Sequence, residues 1–280
     1  MYVEKPLTVT FPQGRSIIER AASAGVRVGC APDTVLGTGT QTARAAIDGG
    51  LIGRPLCASA IMVTPGHGRW HPDPDFCYAP GGGPLLDLGP YYLAALVHLL
   101  GPVRAVIGSA SQLRDVRVIG AGPRVGQRIP VEVPTHVTGV LEHAGGALTT
   151  LTTSFDGVAT TAAPIEVQGE KGTLAVPDPN TFDGEVRLSR STAPAGVPLI
   201  RGPAMSPPPG GGLIDLVRSD ETRPPRASGE MALHVLDIMT ALLRSTAEGR
   251  RVELTTVVER PTPVPLTPAE KWLSALAPGR

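Results

Sequence analysis

Apolar and polar positions change their period several times along the chain. Residues 12–24, PQGRSIIERAASA, carry apolar side chains at helical spacing up to Gly25, which predicts a short helix. VRVGCAP at 26–32 predicts a short strand, and TGTQTARAAIDG at 38–49 predicts a second helix stopped by Gly49-Gly50. Strand and helix alternating at this spacing predict the end of a parallel βαβ arrangement. LCASAIMVT at 56–64 opens a new region as a strand. Residues 65–83, rich in Gly, Pro, His and Asp, predict a loop, and residues 84–100 a helix with Pro at its first position and Gly101-Pro102 after its last.

From 103 to 190 the period shortens. VRAVIGSAS, THVTGVLEH, ALTTLTTSF, PIEVQG, GTLAVPD and EVRLSR are β-rich runs punctuated by Gly, Pro, Asn and Asp, and GEKGT at 169–173 predicts a hairpin turn. Alternation such as Thr149-Thr150-Leu151-Thr152 predicts an antiparallel sheet with one covered face. The proline-rich residues 191–228 predict a long surface loop, residues 229–249 an amphipathic helix ended by Gly249, and residues 267–276 one more short helix. The expected architecture is an α/β unit over residues 1–53, followed over 54–280 by an α+β domain built on an open, mainly antiparallel sheet.

Composition narrows the function classes. Hydrophobic residues make up 41% of 280, enough for a sizeable core, and only 4% are aromatic, so that core is aliphatic. Lys+Arg and Asp+Glu balance at 25 each, which argues against a nucleic-acid partner. The most apolar run, 84–100, contains Asp87, two tyrosines and His98, and a membrane helix needs about 20 residues with few polar ones; no membrane partner is expected. Cys30, Cys57 and Cys77 are odd in number and widely spaced, and nothing after Met1 reads as a signal peptide, so a cytoplasmic protein with free thiols is expected.

The strongest chemical signal is GGGPLLDLGPYYLAALVHLL at 81–100. Asp87 is a carboxylate in the first turn of a helix that is apolar on nearly every face, so it needs a cation, hydrogen bonds or a shifted pKa. Tyr91 lies four residues on, over the same face. The pair can handle protons at a glycine-lined hollow, or Asp87 can simply complement the helix dipole while Tyr91 and Tyr92 fill core. His67 and His71 are four apart but in a loop, so no metal site is expected. His234, among Leu233, Val235 and Leu236, reads as a satisfied interior histidine, and Cys30 as a small core residue.

EKPL at 4–7 and GGGPLLDLGPYY at 81–92 resemble the Gfo/Idh/MocA family of NAD(P)-dependent oxidoreductases. CAPDTVLGTGTQT at 30–42, WHPDPDF at 70–76, VPTHVTGVLE at 133–142, SFD at 154–156, GEKGTLAVPDPNTF at 169–182 and RASGEMALHVLDIM at 226–239 extend the resemblance over nearly the whole chain. It implies that residues 1–53 are the C-terminal part of a Rossmann domain, with Glu4, Lys5 and Pro6 at the cofactor, and that 54–280 form the substrate and oligomerisation domain. It gives Lys5 the lysine role at nicotinamide and substrate hydroxyl, and Asp87 the carboxylate role. Tyr91 stands where many members have His. A Tyr has a pKa near 10, so Tyr91 serves as acid/base only if a cation such as Lys5 lowers it; otherwise it only hydrogen-bonds substrate. Asp33, Trp70 and His71 are expected to line the substrate pocket. The implied reaction is hydride transfer, with NAD or NADP, at a sugar- or polyol-like carbinol, in a homo-oligomer paired through the sheet.

A G-x-G-x-x-G turn with an acid about 20 residues later would mark the dinucleotide site. Gly37-Thr38-Gly39 opens a helix after a strand, but Thr42 stands where the third glycine belongs, and GAGPRVG at 120–126 has no helix after it. Only three residues precede EKP, so the chain reads as truncated at its N-terminus, and the strand bearing Lys5 as an uncovered edge. Two readings follow: an oxidoreductase, or a non-catalytic relic or sugar-binding module that does not hold NAD(P) alone.

Overall fold

The structure is a computed structural model that describes residues 1–190, 193–198, 210–220 and 222–264. The chain opens with strand β1 (Tyr2–Val3), helix α1 (Phe11–Ser23) and strand β2 (Gly29–Cys30), and β1 pairs in parallel with β2. Helix α2 (Thr38–Asp48) follows, then strand β3 (Pro55–Val63). Helices α3 (Pro84–Asp87) and α4 (Gly89–Leu100) stand where one helix was expected. Pro90 explains the break at Leu88: it has no N–H to bond the carbonyl four residues back.

Strands β4 (Val103–Ser111), β5 (Val116–Val118), β6 (Arg128–Pro130), β7 (His136–His143), β8 (Leu148–Ser154), β9 (Ile165–Gly169), β10 (Gly172–Val176), β11 (Arg187–Arg190) and β12 (Ala193–Pro198) come next. Helices α5 (Gly211–Arg218) and α6 (Gly229–Glu248) and strand β13 (Val252–Glu253) complete the described chain. The proline-rich stretch is therefore not all loop, since it supplies β12 and α5. The short helix expected at 267–276 lies outside the described residues.

Nine strands form one sheet in the order β12-β11-β10-β9-β3-β8-β7-β4-β13. The sheet is mixed: β3 runs parallel to β8, and the other neighbours pair antiparallel. The β9–β10 hairpin turns through Glu170-Lys171, with Gly169 opposite Gly172. Helix α6 packs on β4 and α4, and α4 packs on α2. Ser228 caps α6 by accepting from the Met231 N–H at 3.1 Å, and Gly249 ends it at φ 63°.

Two cores result. Leu7, Cys30 and Leu233 form a small one beside α1, whereas Val35, Leu36, Ala43, Ile47 and Ile52 already belong to the large core under the sheet. The change of core falls between Cys30 and Val35, so α2 packs with the sheet domain. The β1–α1–β2 unit thus sits against a larger body, and the chain from β1 to β2 meets α3 at their junction.

Burial also sets a pH response. His143 holds the Gly101 carbonyl and Thr149, and His234 accepts from the Val103 N–H and contacts Thr256. Burial lowers the pKa of His143, takes that of His234 to about 4, and takes that of His98, beside Arg44, to about 3. All three stay neutral in the fold, while the unfolded chain takes up protons below its ordinary 6.5. Stability from them is present above pH 6.5 and is lost as pH falls toward 4. Thermal unfolding at pH 5 is expected to show a loss of about 2 kcal/mol for each of His98 and His234 relative to pH 7. An unchanged midpoint would contradict this.

Candidate active site

Strand β1 runs directly into Glu4-Lys5-Pro6, so the parallel register with β2 delivers Lys5 at the strand's C-terminal end. The helix that meets it starts from Gly81-Gly82-Gly83, and each glycine has a geometric reason. Gly81 and Gly83 have φ 93° and 91°, and a Cβ on Gly82 would strike the Phe76 carbonyl. The tight entry lets the Gly83 N–H bond the Cys77 carbonyl at 2.7 Å and brings Asp87 to the end of α3. There the Lys5 ammonium donates to Asp87 Oδ1 at 2.7 Å and to the Asp87 carbonyl at 2.6 Å. Both side chains are less than one-fifth exposed, so the pair is screened less than a surface ion pair.

The second carboxylate oxygen faces a histidine of the 65–78 loop. His67 Nε2 lies 3.3 Å from Asp87 Oδ2. Its ring packs 5.0 Å from Trp70 and edge-on, 5.2 Å, against Phe155. The SFD stretch thereby gains a structural role: Phe155 walls His67, and Asp156 holds Arg117 and the Thr135 hydroxyl. The loop is pressed inward by Gly66, at φ 82°, where a Cβ would strike the Tyr78 hydroxyl. Glycines flanking a loop histidine were the one available signal for this contact. Cys77 completes the cluster, and burial pushes its thiol up to about 12.

Tyr91 joins the site beneath Lys5. Lys5 Nζ lies 5.4 Å from its ring centroid, a cation over an aromatic face. Its phenol pKa is raised, not lowered, first by burial and then by Glu4, Asp87 and Asp33. Tyr91 is therefore a neutral hydroxyl and a floor for Lys5. Asp33 accepts from the Gly212 N–H at 2.9 Å, near the start of α5, so its carboxylate is engaged with that helix while its charge still reaches Tyr91. Trp70 and His71 line the outer rim: Trp70 is 56% exposed and stacks edge-on with His71 at 5.4 Å. Glu4 is exposed beside Lys5. His234 is an interior histidine with both nitrogens occupied, and Cys30 is buried in the small core.

His67, Cys77 and Asp87 present ligand atoms within 4.8 Å of one another, a spacing that can hold a metal ion. The Lys5 ammonium competes for the same carboxylate. The Gly37/Gly39 pair is not a phosphate cradle: a Cβ on Gly37 would strike the Phe182 carbonyl, and one on Gly39 would meet Pro177 at 2.8 Å. These glycines let the 177–183 segment dock on α2.

A βαβ unit set on a mixed-sheet domain, with lysine and carboxylate facing each other between them, is an α/β fold resembling the Gfo/Idh/MocA oxidoreductases. Residues 40–175 match the family model described as the GFO/IDH/MocA C-terminal domain. Among solved structures it is similar to an NAD binding oxidoreductase from Klebsiella pneumoniae, at 23% identity and TM-score 0.73, covering 91% of this chain and 73% of that one. It is also similar to an aldose-aldose oxidoreductase from Caulobacter crescentus complexed with glycerol, at 22% and 0.69, covering 90% and 71%. A third is the WlbA dehydrogenase from Bordetella pertussis in complex with NADH and UDP-GlcNAcA, at 20% and 0.66, covering 90% and 71%. At these identities the likeness is one of fold. No curated protein matches the chain. Among the described residues, no helix is long and apolar enough to cross a membrane.

Proposed function

We propose that the protein is an NAD(P)-dependent oxidoreductase acting on a sugar- or polyol-like carbinol. The observation that carries this reading is the Lys5–Asp87 contact between the two parts of the fold, with one ammonium held by both a carboxylate and a carbonyl. Asp87 Oδ2 is buried and makes no hydrogen bond, so the array has an acceptor in hand. Such groups fit a nicotinamide reaction, in which the bound cofactor supplies hydride acceptance or donation. Lys5 would polarise the substrate oxygen, Asp87 would fix Lys5, the Tyr91 hydroxyl would hydrogen-bond substrate, and Trp70 and His71 would face the sugar ring. Glu4 and Pro6 would flank the cofactor beside Lys5. Structures of similar fold that hold NADH with a nucleotide sugar, or glycerol, support this substrate class.

The reading includes a homo-oligomer. Ser59, Thr150, Val140 and Ile107 lie in register across β3, β8, β7 and β4, and Ile107 is 49% exposed, which supports pairing of copies through this face.

A second reading, a sugar-binding module that holds no nucleotide by itself, rests on residues 1–280 containing no G-x-G-x-x-G turn at the start of a helix. Titrating NADH and NADPH into the protein separates the two, using both the 280-residue chain and the chain translated in frame from upstream of Met1. Micromolar binding of either nucleotide, with reduction of NAD or NADP on adding an aldose or polyol, is expected. Sugar binding with neither nucleotide held by either chain would favour the second reading.

A further inference from the structure

The two oxygens of Asp87 have unequal surroundings. Oδ1 takes the Lys5 ammonium, whereas Oδ2 faces His67 Nε2 at 3.3 Å. That distance lies just outside hydrogen-bond reach, as catalytic contacts often do before substrate closes the site. Tyr91, the group four residues along from Asp87, has its ring under Lys5 and holds its proton harder than a free phenol. We propose that the proton of the substrate hydroxyl passes across Asp87 and comes to rest on His67, a positioning residue contributed by the 65–78 loop. The inference rests on the oxidoreductase reading above.

The chemistry balances. In the oxidising direction the carbinol C–H bond breaks with its electron pair, which leaves as hydride to the nicotinamide; the O–H bond breaks and C–O becomes C=O. The substrate is oxidised, the nicotinamide is reduced, and the released proton forms an N–H bond on His67. Lys5 begins and ends as an ammonium, and Asp87 begins and ends as a carboxylate, beside one cation at the start and between two at the end. In the reducing direction the imidazolium returns the proton.

The surroundings of His67 suit that task. Burial keeps its pKa below the ordinary 6.5, so it starts neutral. Asp87 on α3 favours the charged form, while Lys5 after β1, and His71 and Arg69 on its own loop, oppose it. Cys77 beside it stays a neutral thiol, and Phe155 after β8 is apolar. His67 Nδ1 is buried without a hydrogen-bond partner, so Asp87 is the contact that tunes the ring.

The first test follows the histidine ring nitrogens by NMR over the pH range, with His67 assigned through its loss in His67→Gln. Asp87→Asn is expected to lower the His67 midpoint by about 1 unit, since the charge that favours its imidazolium is gone. An identical midpoint in both proteins would overturn the proposal, as would one zinc bound per chain and lost in His67→Gln. The second test is kinetic. His67→Gln should cut kcat by about 100-fold with a smaller change in KM, and should remove the low-pH limb of kcat, while that limb persists in Tyr91→Phe. Wild-type kcat and limb in His67→Gln would also overturn it. If the wild-type protein reduces neither nucleotide, the oxidoreductase reading fails and the relay falls with it. The NMR titration still reports whether Asp87 and His67 are coupled.

Discussion

Replacing Lys5 with methionine is expected to lower kcat by about 10²–10⁴-fold while leaving the fold in place. Methionine keeps the length of the side chain and removes the charge. Asp87 then loses the one cation at its Oδ1, and the substrate oxygen loses the donor that would stabilise developing negative charge. The fold tolerates the change because Lys5 lies at the end of a two-residue strand, outside the small core of Leu7, Cys30 and Leu233. Lys5→Arg is not expected to rescue, because a guanidinium is planar and larger than an ammonium. Circular dichroism should match wild type in both variants, and turnover should not. Wild-type turnover in Lys5→Met would remove the lysine from the chemistry.

Arg226→Met is expected to do the reverse, costing about 3–5 kcal/mol of stability because it breaks a buried pair on one side. Arg226 and Asp215 are each less than one-tenth exposed and pair directly, and the Arg226 N–H donates to the other Asp215 oxygen at 2.6 Å. The same guanidinium donates to the Thr262 and Pro263 carbonyls, at 2.9 and 3.1 Å. One side chain therefore ties α5, the entry to α6 and the 262–263 segment together. Without it Asp215 is an uncompensated charge in a dry site. Replacing both residues at once, Asp215→Leu with Arg226→Met, should recover much of the loss. Thermal or urea unfolding of the two single variants and the double variant measures this coupling, and additive effects would contradict it.

These two sites differ in how far the amino-acid order reveals them. Lys5 was singled out by the resemblance that EKPL carries, and Asp87 by a carboxylate in the first turn of an apolar helix after a glycine run; the structure brings the two together. The β9–β10 hairpin was legible, since GEKGT turns within its own five residues. His67 was not, because its role depends on Gly66 and Gly68 pressing a loop against Tyr78 and Phe155, residues brought near only by the sheet. Asp33 points the same way: its carboxylate is engaged with α5, a helix hidden in a proline-rich stretch that propensity reads as loop. The parallel pairing of β3 with β8 was likewise hidden, because alternation of polarity records which face is covered and not which way the neighbour runs. Tyr91 was open to two readings, an acid/base whose pKa a cation lowers or a hydroxyl that only hydrogen-bonds substrate. The cation is there, but over the ring face, and burial first, then Glu4, Asp87 and Asp33, raises the phenol pKa.

The measurement that tests the central claim most directly is label transfer. The protein is incubated with oxidised nicotinamide nucleotide and a sugar or polyol deuterated at the carbinol carbon, and the nucleotide is analysed by mass spectrometry. A hydride-transfer centre at Lys5 and Asp87 predicts one deuterium delivered to the nicotinamide ring by the wild-type protein and a rate lowered at least 100-fold in Lys5→Met. Deuterium appearing equally fast in Lys5→Met, or a substrate that is converted while its label stays out of the nucleotide, would contradict it.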